Sequence, residues 1–474
     1  MTAILGGVII IIFHVLGTLS ALMALMSSRT SQGAIAWIIS LLTFPYLALP
    51  AYWVFGRPRF YGYVSAREER DSSLRQVLTR FRRDLTPFFS RPESDERRLV
   101  AVERLAMMPM SRGNHPELLI DGQATFDSLF RGIERAENYL LIQFFIVRDD
   151  RLGQELKRRL CRCAERGVRV CFLYDEIGSR KLPEAYLVEL QTAGVEVSRF
   201  GSSRGWRHRF QVNFRNHRKI MIADGLRGWV GGLNVGNEYM GESPRYGHWR
   251  DTHMTLTGPA VLGLQEAFWE DWHWATGTIL ALNWTPRLSS HGDHHVVIVP
   301  SGPADHQETA SLIIQQAIHG AHYRFWITSP YFVPDQGVQD ALKLAALRGV
   351  DVRVLMPEHP DHLLVFLSAF SFLPDMINAG VRIYRYQPGF MHQKVFLVDN
   401  DTASVGTVNL DNRSFRLNFE ITAYIPSPAF ARSVEVMLEQ DFKVSREVSL
   451  DEVQSRPLWR KIISRAAYLA APIQ

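Results

Sequence analysis

The chain has 474 residues, 46% of them hydrophobic, which is enough to bury a large core and to build two or three domains. Lys and Arg exceed Asp and Glu by 53 − 48 = 5, a mild basic excess that suits an anionic partner, phospholipid or nucleic acid, without choosing between them. Cys161, Cys163 and Cys171 are odd in number and lack zinc-ligand spacing, which argues against a disulfide framework and reads as reduced cytosolic thiols.

In chain order, residues 4–26 and 33–55 are two runs without a charged side chain, each long enough for a helix that crosses a bilayer. Met1-Thr2-Ala3 has no basic residue of the kind that precedes a cleaved leader. The expectation is a transmembrane hairpin over residues 1–56. Its turn carries only Arg29, whereas Arg57, Arg59, Arg67, Arg70 and Arg75 follow the second run. Positive charge favours the cytoplasmic face, so both termini and the large domain are expected there. Residues 57–116 read as a basic connector, either beside anionic headgroups or as solvated helices.

From Glu117 onward the pattern is built twice. Residues 117–290 hold a helix over 126–136, a strand over 139–145, a helix over 153–164 and a strand over 168–173. Residues 291–450 echo them with a helix over 310–321, a strand over 325–328, a helix over 338–347 and a strand over 350–355. Arg166-Gly167 and Arg348-Gly349 close equivalent helices, glycine supplying the positive φ such ends need. The expected class is α/β: two similar halves, each with a parallel-rich sheet, packed face to face. Where the first half has polar 178–184, the second has the apolar run 363–373, a core helix or a wall that dips into a membrane. The tail, 451–474, reads as an amphipathic helix, interfacial or docked on the domain.

The sharpest signal is a repeated spacing. His217-Arg218-Lys219 with Asp224 and His392-Gln393-Lys394 with Asp399 both fit H-x-K-x4-D, a pattern that arises by chance at about one His in 400. Gly231 and Gly406 each follow their His by 14 residues, and Asn234 and Asn409 by 17. Two imidazoles flanking one phosphodiester can divide the work. One attacks phosphorus and forms a phosphohistidine; the other protonates the leaving alkoxide, then takes a proton from the incoming hydroxyl. Lys219, Lys394, Asn234 and Asn409 would balance charge on the non-bridging oxygens. That scheme requires neither metal nor cofactor, and His291-Gly292-Asp293-His294-His295 reads as linker. Arg204, Arg207, His208, Arg209, Arg215 and Arg218 form a basic cluster suited to headgroups or to a solvated loop.

The doubled signature resembles that of the phospholipase D superfamily. The resemblance implies catalytic roles for the His and Lys pairs. For Asp224 and Asp399, which complete the candidate catalytic set, it implies that they hold strand and loop together. It also implies a downstream acid behind each His: Glu420 in the second half and Asp251 in the first, at offsets of 28 and 34 residues, with Glu238 competing for the first-half place. Within the superfamily the chain is similar, over nearly its whole length, to bacterial cardiolipin synthases. The similarity rests on Phe55-Gly56-Arg57-Pro58, Gly231-Gly232-Leu233-Asn234, Ser301-Gly302-Pro303 and Pro330-Tyr331-Phe332-Val333-Pro334-Asp335. It implies a phosphatidyltransferase of the bacterial inner membrane that joins two phosphatidylglycerols into cardiolipin and releases glycerol. The alternative is a phospholipase D-type hydrolase with water as acceptor. The partners expected are phosphatidylglycerol, cardiolipin and an anionic membrane surface, with no nucleic acid; a homodimer is permitted and not required.

Overall fold

The computed structural model describes the chain outside residues 1, 57–59, 61, 65–71, 92–95 and 202–212. Arg57, Arg59, Arg67, Arg70, Arg204, Arg207, His208 and Arg209 therefore lie outside the described residues.

The N-terminal segment differs from the expected pair of spans. Helix α1 (Thr2–Ser27) has 26 residues, about 39 Å at 1.5 Å per residue, and is long and apolar enough to cross a bilayer. The second run is two helices, α2 (Ser31–Thr43) and α3 (Pro45–Phe55). Pro45 is the cause. Its ring disfavours helical geometry at the residue before it, and Phe44 sits at φ −139°, ψ 59°. The chain reverses there. Leu41 of α2 and Pro45 of α3 both approach Gly17 so closely that a side chain would not fit. Tyr46 lies beside His14, and Trp53 Nε1 reaches Ser20 Oγ at 3.4 Å. Helix α3 thus climbs beside α1 in the same direction, and its end returns to the end of α1. Both ends meet the catalytic body: Arg29 bonds Glu308 at 3.3 Å, and Phe60 N donates to Pro303 O at 3.2 Å. The expectation that residues 33–55 form one spanning helix is corrected accordingly.

The connector folds as α4 (Ser72–Leu85) and α5 (Glu96–Ala106). Phe81, Leu85, Leu99 and Val102 are buried in the same core as Val296–Val299, so this segment is more than a charged strip.

The first half contains β1 (Ser111–Ile120), β2 (Tyr139–Phe144), β3 (Arg169–Asp175), β4 (Glu196–Phe200), β5 (Arg215–Asn216), β6 (Ile220–Ala223), β7 (Arg227–Gly231), β8 (His248–Arg250) and β9 (Thr252–Thr257). Its helices are α6 (Asp121–Arg135), α7 (Arg151–Glu165), α8 (Glu184–Thr192) and α9 (Val261–Thr276). The second half contains β10 (His294–Ser301), β11 (Arg324–Thr328), β12 (Phe332–Val333), β13 (Asp351–Pro357), β14 (Arg382–Tyr386), β15 (Gly389–Met391), β16 (Val395–Val398), β17 (Thr402–Gly406), β18 (Leu410–Asp411), β19 (Asn418–Pro426) and β20 (Ser445–Glu447). Its helices are α10 (Thr309–His319), α11 (Gln336–Leu347), α12 (Leu363–Ala369), α13 (Leu373–Asn378), α14 (Asn412–Arg416) and α15 (Pro428–Lys443); α16 (Leu450–Gln454) and α17 (Leu458–Tyr468) end the chain.

In each half the strands that alternate with helices run parallel: β2, β3 and β4, then β11, β13 and β14. The signature strands β6 and β16 are antiparallel to them and lead through β7 and β17 to β9 and β19. The halves are therefore mixed sheets rather than parallel-rich ones, because the chain enters each signature strand from the opposite end. Antiparallel pairing of β1 with β10 joins the two into one continuous sheet.

Candidate active site

Two short cross-pairings bring the signatures together. β5, just before His217, runs parallel to the start of β19; β15, just before His392, runs parallel to β8. His217 N then donates to Phe419 O at 2.9 Å, and His392 N to Arg250 O at 2.8 Å. Each histidine is thereby seated beside the acidic residue of the other half.

The carboxylates follow that crossing. His217 Nδ1 lies 2.8 Å from Glu420 Oε2, and His392 Nδ1 lies 2.8 Å from Asp251 Oδ2. The expected pairing within each half is thus corrected: Asp251 backs the second-half imidazole and Glu420 the first. Glu238, the competing first-half acid, is instead held by Arg148 at 3.2 Å. An ionised carboxylate only accepts, so each Nδ1 carries the hydrogen and each Nε2 is left with its lone pair. Both imidazoles are 7% exposed while both acids are fully buried, so the accessible face of each pair belongs to the ring.

The two pairs differ electrostatically. Burial pushes Glu420 up, but His217, Lys219 and Thr407 outweigh it and hold the carboxyl below its usual range. It also accepts from Ser414 Oγ at 2.9 Å and Asn418 Nδ2 at 3.2 Å. Asp251 is less well compensated, and burial raises it to about 6 against the pull of Lys394. Burial also lowers both imidazoles, His217 to about 4 and His392 well below the usual histidine value. A bound phosphodiester anion opposes that shift, favouring the protonated ring.

Lys219 and Lys394 are buried beside the rings. Lys219 Nζ donates to His217 O at 2.6 Å, and Lys394 Nζ bonds His392 O and lies 3.0 Å from His392 Nδ1. Burial lowers Lys219 well below its usual value and Lys394 to about 8. Two desolvated ammonium groups in one place are costly unless an anion joins them. The arrangement fits a phosphate.

Asp224 and Asp399 stand at the far ends of β6 and β16, away from the imidazoles, which corrects their inclusion among catalytic candidates. Both adopt positive φ, 56° and 47°. Asp224 accepts from the N–H groups of Glu137, Asn138 and Tyr139, and Asp399 from those of His322, Tyr323 and Arg324. Each ties its signature strand to the start of a neighbouring one. Asn234 Oδ1 accepts from Ile146 N at 3.0 Å while its amide nitrogen meets Tyr239 Oη at 3.3 Å. Asn409 Oδ1 is buried without a partner among the described residues.

Sequence reading missed a second buried carboxylate behind each signature. Asp271 of α9 accepts from Arg218 at 2.9 Å, Asn216 at 2.7 Å, Gln143 at 2.9 Å and Tyr63 at 3.0 Å. Asp441 of α15 accepts from Gln393 at 2.8 Å and takes both ends of the Arg250 guanidinium, at 2.6 and 2.8 Å. The residue between His and Lys was the available signal: Arg218 and Gln393 both turn away from the rings toward these acids. Tyr331 Oη also donates to Asp361 at 2.6 Å, close enough to His392 for Asp361 to act on its titration. The aromatic run 268–274 is core, with Phe268, Trp269, Trp272 and Trp274 buried.

Residues 129–272 and 314–442 match the family described as cardiolipin synthase, PLD-like domain. Curated relatives agree. The cardiolipin synthase A of Pseudomonas putida is 47% identical over 98% of both chains. That of Pseudomonas aeruginosa is 48% identical over 98% of this chain and 96% of its own. Among solved structures, the phosphatidylserine synthase of Haemophilus influenzae superposes with a TM-score of 0.56 at 15% identity, over 76% of this chain and 95% of its own, a likeness of fold.

Proposed function

The chain belongs to the cardiolipin synthase family of phospholipase D-like phosphatidyltransferases, and we propose that it transfers a phosphatidyl group between two phosphatidylglycerols. His217 attacks phosphorus through Nε2, and His392, as the imidazolium, protonates the departing glycerol oxygen. His392, now neutral, removes the proton from a hydroxyl of a second phosphatidylglycerol. That oxygen attacks the phosphatidyl-histidine and displaces His217, giving cardiolipin. Lys219 and Lys394 balance charge on the non-bridging oxygens.

The observation that carries this reading is the crossed pair of His–carboxylate bonds, which engages both Nδ1 atoms and leaves both Nε2 atoms for the substrate. The assignment of His217 as nucleophile follows from its partner. Glu420, held ionised, fixes the tautomer, whereas the Asp251–His392 pair exchanges a proton more readily near neutrality. We place the protein in the bacterial inner membrane, with α1 crossing it and the catalytic body on the cytoplasmic side. Arg29, which bonds Glu308 of the catalytic body, then lies on that face, in keeping with positive-inside orientation. Purified protein given headgroup-labelled phosphatidylglycerol in detergent should yield cardiolipin and free labelled glycerol. Phosphatidic acid as the dominant lipid product would favour the hydrolase instead.

A further inference from the structure

The C-terminal helix α17 is docked with its bulky apolar residues outward. Ser464 and Ala467 are its buried positions, and Ser371 Oγ donates to Ser464 O at 3.2 Å. Leu458, Trp459, Ile462 and Ile463 are 72, 58, 59 and 42% exposed, and Leu363 and Leu364 of the neighbouring α12 are 64 and 50% exposed. A helix that only needed to cover the domain would bury such residues. Arg460, Lys461 and Arg465 are exposed along the same helix. An apolar face edged with cations is the pattern of a helix lying in a headgroup layer.

Its place in the fold points to which layer. Helix α14 touches three things at once. Ser414 Oγ donates to Glu420, the partner of His217; Arg413 N donates to the C-terminal Gln474 O at 2.6 Å; and Arg416 O accepts from Arg29 in the turn between α1 and α2. Arg29 and Arg416 also share Glu308, at 3.3 and 2.9 Å. The membrane helices, the last residues of the chain beyond α17 and the catalytic site thus meet around one turn of helix. Helix α12 leaves β13 past Asp361, which acts on His392 and Lys394, so it too stands at the site's end of the sheet.

We propose that α17, backed by α12, is a second lipid-docking surface, lying on the same anionic leaflet that α2 and α3 enter and leave, so that the site between His217 and His392 is held against the lipid at two separated places. The proposal rests on the reading that α1 crosses the bilayer, but its occupant is committed: anionic phospholipid rather than a second copy of this chain. Charge favours this choice, since a two-fold dimer through α17 would oppose Arg460, Lys461 and Arg465 with themselves.

The test uses the full chain with Cys161→Ser, the half-buried native thiol, and one new cysteine carrying an environment-sensitive fluorophore. Ile462→Cys and, independently, Leu458→Cys probe the surface. Tyr323→Cys is the control, because Tyr323 is 75% exposed at the end of β11 remote from Lys394. In vesicles of phosphatidylglycerol and phosphatidylethanolamine, the α17 probes should shift to the blue and be quenched by nitroxide-labelled lipid, while the control stays water-like. The shift should be weaker in phosphatidylcholine vesicles. Water-like emission at both α17 sites overturns the proposal; so does protection without lipid quenching, accompanied by disulfide cross-linking between copies of the unlabelled Ile462→Cys variant. Neither readout uses turnover, so loss of transferase activity would count against the proposed function and not against this surface.

Discussion

The two halves share a scaffold and differ in the charges behind it. Their likeness is geometric. Asp224 and Asp399 both sit at positive φ, 56° and 47°, and gather equivalent N–H groups; Gly167 and Gly349 close matching helices at φ 88° and 89°. Their difference is electrostatic. The first-half imidazole leans on Glu420, which several donors keep ionised, and the second-half imidazole leans on Asp251, which burial raises to about 6. Behind the first signature a buried Arg218 neutralises Asp271. Behind the second, the neutral Gln393 shares Asp441 with Arg250, an arginine borrowed from the first half. Duplication preserved the frame and left different charges behind it, the difference on which the proposed division of nucleophile from acid–base rests.

The hardest test of that division removes the rings. His217→Ala and His392→Ala should each lower turnover by roughly 10⁴-fold or more, because both imidazoles serve both steps. Quenched turnover followed by peptide mapping should find phosphate on His217 only. Label on His392, or near-normal turnover in either variant, would erase the proposed division of labour.

The next largest effects separate the carboxylates. Glu420→Gln and Asp251→Asn should each cost up to about 10⁴-fold, as expected for acids that orient a catalytic histidine, but their pH profiles should differ. In the parent enzyme kcat should fall as pH drops through about 6, where Asp251 gains a proton and releases His392. It should fall again as pH rises through about 8, where Lys394 loses its charge. Asp251→Asn should flatten the acidic limb and leave the basic one; Glu420→Gln should lower the whole curve without moving either limb. Identical profiles would mean that the acids are equivalent.

These contrasts mark what could be read in the sequence. His217, Lys219, His392 and Lys394 were legible because spacing along one strand survives folding. The partnership of Glu420 with His217 was not. The offsets of 28 and 34 residues measure distance within a half, whereas β5 and β15 reach across to the other half, where no sequence offset constrains the geometry. Likewise, the apolar run 33–55 announced a lipid-facing segment, but composition alone does not register that Pro45 turns it back on itself.

Exchanging the middle residue of the signature sharpens the comparison from behind the rings. Arg218→Gln gives the first half the second-half triplet without the second-half arginine, leaving Asp271 as a buried carboxylate with only neutral donors. Losing one member of a buried ion pair costs about 3–5 kcal/mol, so the melting temperature should drop well below that of Gln393→Ala, where Arg250 still neutralises Asp441. Equal losses would show that Arg250 does not compensate.

The smallest expected effect concerns the aspartates the halves hold in common. Asparagine tolerates the left-handed backbone, so Asp224→Asn and Asp399→Asn keep the turn while weakening the bonds to Tyr139 N and Arg324 N. Each should lower stability by about 1–3 kcal/mol, seen as a shifted denaturant midpoint, with kcat per folded molecule unchanged. The shifts should be equal, since the two carboxylates gather the same kind of N–H cluster at the same strand end. A collapse of kcat at full folding would bring these residues into the chemistry. Unequal shifts would mean that the shared frame has diverged as far as the charges behind it.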